Sequence, residues 1–108
     1  MKDDKVFLQN ILECIVKIET YTTSGKQEFM SSDLIQDAVI RNLEIVGEAS
    51  KKVSQGTKDQ HPEIPWRQMA GLRDVLIHDY MGISLKIVWN VVQNELPHLK
   101  TKILVLLE

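Results

Sequence analysis

The chain has 108 residues, 44% of them hydrophobic and 26% charged, with a formal net charge of −2. Such a composition suits one folded globular domain and excludes wholesale disorder. The charge excludes a strongly basic protein that coats RNA or membranes over its whole surface, while leaving room for a locally positive cleft. A single cysteine, Cys14, cannot make an internal disulfide, and the longest apolar runs, such as Ile103 to Leu107, fall far short of the ~20 residues that span a bilayer. Met1-Lys2-Asp3-Asp4-Lys5 carries charges with no apolar stretch of secretory length behind it. The expectation is one cytoplasmic domain over residues 1–108.

Apolar spacing is helical almost throughout. From Asp4 to about Thr22, Leu8, Ile11, Ile15 and Ile18 recur at three and four residues, with Phe7, Cys14 and Tyr21 beside them. Cys14 sits on this apolar side and reads as core. Thr22 to Lys26 reads as a connection. A second helix is expected from Ser32 or Asp33 to about Val53, with Gln36 placed for a capping box. Its buried face is Ile35, Ala38, Val39, Leu43, Val46 and Ala49. Gly47 costs about 1 kcal/mol relative to alanine inside such a run, which suits either close approach by another helix or a glycine that is simply tolerated.

Ser54 to Ile64 is polar, holds Gly56 and Pro62, and reads as a loop. Pro65 suits the first turn of a third helix carrying Trp66, Met69, Leu72, Leu76 and Ile77 towards Tyr80, with Gly82 placed to end it. Ser84 then caps a helix holding Leu85, Val88, Trp89 and Val92. Pro97 breaks that run and opens a last helix with Leu99, Ile103 and Leu106. The expected architecture is an all-α antiparallel bundle of four to five helices.

His61, His78 and His98 lie far apart in sequence, with no CxxC or HExxH spacing and no glycine-rich phosphate loop, so neither a metal nor a cofactor is called for. The one dense polar constellation is Arg73-Asp74-Val75-Leu76-Ile77-His78-Asp79-Tyr80. Asp74 and His78, four apart, are neighbours on one helix face, where the carboxylate would orient the imidazole. Arg73 and His78 stand about 140° apart around the axis. They converge on one ligand only through the reach of arginine, a bend, or a second copy of the helix across a two-fold axis. On spacing alone, a histidine one turn before a helix-ending glycine is explained by the helix dipole, and Arg73 and Asp74 by solvent.

Arg73-x4-His78-x-Tyr80 resembles the RX4HXY signature of the HepT-like toxins, small all-helical ribonucleases of the HEPN superfamily. Arg41 to Ala49 resembles the family's second helix, Ile64 to Arg73 the approach to its motif, and Ile83 to Leu99 its C-terminal part. The resemblance implies a metal-independent endoribonuclease with Arg73 and His78 as the catalytic pair and Asp74 in support. It further implies RNA as substrate and a homodimer whose motif segments share one cleft. It also implies a minimal nucleotidyltransferase antitoxin that transfers AMP to Tyr80. The alternative is a non-catalytic helical subunit that assists such a nucleotidyltransferase. Lys51, Lys52, Lys58, Arg67 and Arg73 are candidates for a basic rim that receives RNA, although Lys51 and Lys52 also suit pairing with Glu48 and Glu44.

Overall fold

Leu8, Ile11, Ile15 and Ile18 are all buried along one face of the first helix, α1 (Lys2–Tyr21), as their spacing predicts. The computed structural model describes the backbone of residues 2–78 and 84–108, and the side chains of residues 3–72 and 84–108. Every regular element among the described residues is helical: α2 (Lys26–Ser31), α3 (Asp33–Lys52), α4 (Gln55–Gln60), α5 (Trp66–His78), α6 (Leu85–Asn90) and α7 (Leu96–Leu107). The expected all-α, HEPN-like architecture is therefore present. None of these helices is long and apolar enough to cross a membrane.

The long helix α3 lies between α1 and α5 and packs against both. Val39, Leu43, Val46 and Ala49 are buried on it, and Ile35 and Ala38 half-buried, so the expected face is the observed one. Gly47 is buried within the same face. Two contacts set the helix directions. Asp4, in the first turn of α1, bonds to Ser54 just past the end of α3, so α1 and α3 run antiparallel. Lys100, early in α7, pairs at 2.9 Å with Glu19, late in α1, so α7 returns antiparallel as well.

Three local expectations change. The Thr22–Lys26 connection is followed at once by α2, entered through Gly25 with a φ of 92°, a left-handed conformation that glycine adopts without strain. Within this one turn and a half, Phe29 is completely buried, its ring centroid 5.3 Å from that of Trp89. Ser32 is the residue that caps α3, its hydroxyl accepting from the Ile35 amide at 3.2 Å. Gln36 is then too far along to complete a capping box. Its side-chain amide donates instead to the carbonyls of Phe29 and Met30, satisfying the C-terminal end of α2.

The second change is in the segment read as a loop, where Gln55–Gln60 forms α4. Ser54 caps it, accepting from the Thr57 amide at 3.3 Å, and both hydroxyls donate to Asp4. The Asp4 carboxylate also accepts from the Ser54 amide at 2.8 Å. Asp4 and Thr57 are both buried, which a charged and a polar group tolerate because they satisfy each other. These bonds, the Ser54 and Thr57 hydroxyls first, hold the Asp4 carboxyl at about 2, below its ordinary 3.8. A depressed carboxyl stabilises the fold fully above the unfolded value of 3.8, and that contribution is lost as pH falls through about 2. Asp4→Asn is expected to cost about 2 kcal/mol at neutral pH. The gap between variant and parent in urea unfolding should narrow steadily below about pH 4.

Third, Pro97 stands in the first turn of the last helix, α7, as expected, but the run before it is not interrupted. Val91–Glu95 forms a π turn, closed by the Leu96 amide donating to the carbonyl of Val91, and α7 continues from it. Asn90, Val91 and Leu96 all keep right-handed helical dihedrals. Proline inside an α-helix lacks a donor and clashes with the preceding turn. One wider π turn opens that space and lets the helix run on. Ser84 caps α6 as expected, accepting from the Ile87 amide.

Candidate active site

Helix α5 is positioned from its N-terminal end. Pro65 precedes it, and the Met69 amide donates to the Pro65 carbonyl at 3.0 Å. Trp66 is half-buried, with its indole N–H donating to the His61 carbonyl at 3.0 Å. Ile64 is buried beneath the turn, and Lys102 of α7 donates to the Glu63 carbonyl at 2.9 Å. Met69 is buried and Leu72 half-buried, so this face of α5 rests on the core beside Leu43 and Val46 of α3.

The helix then runs unbroken to His78. Arg73, Asp74 and His78 therefore occupy fixed registers on its last two turns. Asp74 and His78 share a face, and Arg73 and His78 are about 7.5 Å apart along the axis. Relative to Ala70, Asp74 lies about 40° to one side, Arg73 about 60° to the other, and His78 about 80° on the side of Asp74. The pair thus flanks one stripe of the helix. Tyr80, expected as the modified residue, and Gly82, expected as the helix end, lie outside the described residues.

The stripe is open. A Cβ built on Gly71, one residue past Ala70, meets nothing within 4 Å. Towards the start of α5 the stripe enters a groove of about 600 Å³ walled by α4, the turn at Pro62 to Pro65, and Trp66, Arg67 and Ala70. The sequence reading missed this groove because it needs α4, and α4 has no apolar stripe to announce it. The Ser54 cap was the available signal.

The supposed basic rim divides. Lys58 and Arg67 line this groove together. Lys52 faces a different one between α1 and α3, with its ammonium 5.9 Å from the centre of the Phe7 ring. Glu44 pairs with Arg41 at 3.6 Å. Cys14 is buried, and desolvation pushes its thiol up, as suits a core residue rather than a nucleophile.

The sequence matches the family described as "Ribonuclease HepT-like" over residues 11–106. It is 44% identical over 102 residues to "Probable ribonuclease HepT" of Thermococcus cleftensis, which covers 94% of this chain and 93% of that one. It is 38% identical over 103 residues to "Putative RNase MJ1380" of Methanocaldococcus jannaschii, 94% of each chain. "Gamma-glutamylcyclotransferase and putative RNase MJ0434" of the same organism is 43% identical over 99% of this chain, which spans about half of that relative's length. No solved structure matches. The Arg73–His78 segment lies within the matched region, and this chain belongs to the HepT-like ribonuclease family.

Proposed function

We propose that this protein, acting as one helical domain, is a metal-independent endoribonuclease with Arg73 and His78 as its catalytic pair. The carrying observation is that α5 is continuous from Trp66 to His78 in a chain of this family, so both motif residues ride on one helix in fixed register. RNA supplies its own nucleophile. The 2′-hydroxyl loses its proton to a base, attacks the adjacent phosphorus, and expels the 5′-oxygen of the next nucleotide, which takes up a proton. The products are a 2′,3′-cyclic phosphate and a 5′-hydroxyl. A histidine titrates close enough to neutrality to move those protons. Arg73 holds the phosphate oxygens bidentately and stabilises the charge that builds at the pentacoordinate phosphorus. Asp74 orients His78. The angular gap between Arg73 and His78 is bridged in a homodimer that presents two such helices to one cleft.

The same reading makes the protein the cytoplasmic toxin of a type VII toxin–antitoxin pair. A minimal nucleotidyltransferase transfers AMP from ATP to Tyr80, releasing pyrophosphate, and the anionic adduct two residues beyond His78 repels RNA. Two measurements test this. An RNA whose 2′-hydroxyl at the cleaved position is replaced by hydrogen should resist the enzyme, and cleavage should persist in chelator. Cutting of the 2′-deoxy substrate would overturn the mechanism. Protein made together with its nucleotidyltransferase should carry an AMP-sized mass increment mapping to Tyr80. Unmodified Tyr80 with full silencing of activity would overturn the regulation.

A further inference from the structure

We infer that the groove between α4 and the start of α5 is a subsite for single-stranded RNA, gripping phosphates with Lys58 and Arg67 on the way to the motif segment. The inference rests on the ribonuclease reading and names where the substrate runs outside the reacting linkage.

Four observations carry it. First, the groove's volume, about 600 Å³, lies in the range of sites that take nucleotide-sized ligands. Second, the groove is lined by two cations, Lys58 and Arg67, and two carboxylates, Asp59 and Glu63, and the carboxylates are engaged elsewhere. Asp59 accepts from the Gln55 side chain at 2.8 Å, and a Glu63 oxygen lies 3.3 Å from His61 Nδ1. Among the described residues neither Lys58 nor Arg67 has an ion-pair partner. Third, Trp66 lines the same groove with its indole held in place by the His61 carbonyl. A fixed aromatic beside unpaired cations is the combination that single-stranded nucleic-acid grooves use, because any base stacks and any phosphate pairs. Fourth, the groove is collinear with the motif. Trp66 and Arg67, then Ala70, then Arg73 and Asp74, succeed one another at three- and four-residue steps along one stripe of α5. Arg67 and His78 are about 16 Å apart along the axis, a span of a few nucleotides.

Affinity for RNA comes from local phosphate neutralisation, and Lys58 and Arg67, without an ion-pair partner among the described residues, are the groove's two groups able to supply it.

The test compares the full-length protein with the Lys58→Gln/Arg67→Gln variant, using a labelled oligouridylate for binding and both that RNA and a dinucleotide for cleavage. Losing two phosphate contacts should flatten the slope of log affinity against log salt by about 1.4 and raise KM for the long RNA roughly tenfold near physiological salt. The kcat should hold, and so should dinucleotide cleavage, since the dinucleotide does not reach the groove. An unchanged KM and salt slope for the long RNA would overturn the inference, as would equal losses on both substrates. The readouts separate the two readings. Groove-independent cleavage that needs His78 sinks the subsite alone. Groove-dependent binding without cleavage sinks the ribonuclease assignment alone.

Discussion

His78→Ala is expected to lower RNA cleavage by about 10²- to 10⁴-fold, the usual range for removing a positioned proton-transfer group. The loss should fall on kcat, with KM for a long RNA nearly unchanged, because the histidine acts on the proton rather than on the strand. Arg73→Ala should cost about 10²- to 10³-fold, and Arg73→Lys should recover only part of it, since an ammonium cannot match two phosphate oxygens as a guanidinium fork does. Circular dichroism and urea midpoints should stay near those of the parent, showing that α5 persists. Single-turnover cleavage of a defined oligonucleotide checks all three. Full activity in His78→Ala would defeat the catalytic assignment and leave the helper-subunit reading as the better account.

The largest expected loss of stability follows Phe29→Ala. Phe29 is completely buried although it sits in a helix of six residues, so packing rather than helix propensity holds α2 in place. Removing its ring should cost about 3–5 kcal/mol, out of the 5–15 kcal/mol typical of a whole domain. Phe29→Leu should recover more than half of that, because it refills most of the volume. Trp89 is a built-in reporter, its ring centroid 5.3 Å from that of Phe29. Its emission should shift in the variant and follow the urea transition. A cost below about 1 kcal/mol would mean that α2 is held by its cap contacts to Gln36 and not by its anchor.

Long helices were legible because their apolar residues repeat. The α1 stripe and the α3 face are buried as spaced, and the Ser32 and Ser84 caps lie where small hydroxyl residues precede apolar runs. The short elements were not. In α4, Thr57 is buried for its hydroxyl, which reaches Asp4, and no hydropathy pattern registers a burial of that kind. In α2, one phenylalanine in six residues is too brief to show a period. At Pro97 the sequence carries a break signal, and the π turn that absorbs it lies in a run where Val91, Leu96 and Leu99 are all buried.

The division is sharpest at α5. Local chemistry alone set the positions of Arg73, Asp74 and His78, because helical geometry turns spacing into register whatever surrounds the helix. The groove that continues their stripe came from tertiary contacts: Asp4, fifty residues before Ser54, holds the cap that builds α4, and α4 brings Lys58 alongside Arg67. Spacing is inherited along the chain and can be read there. A wall made by two distant segments exists only once their buried polar groups have found each other.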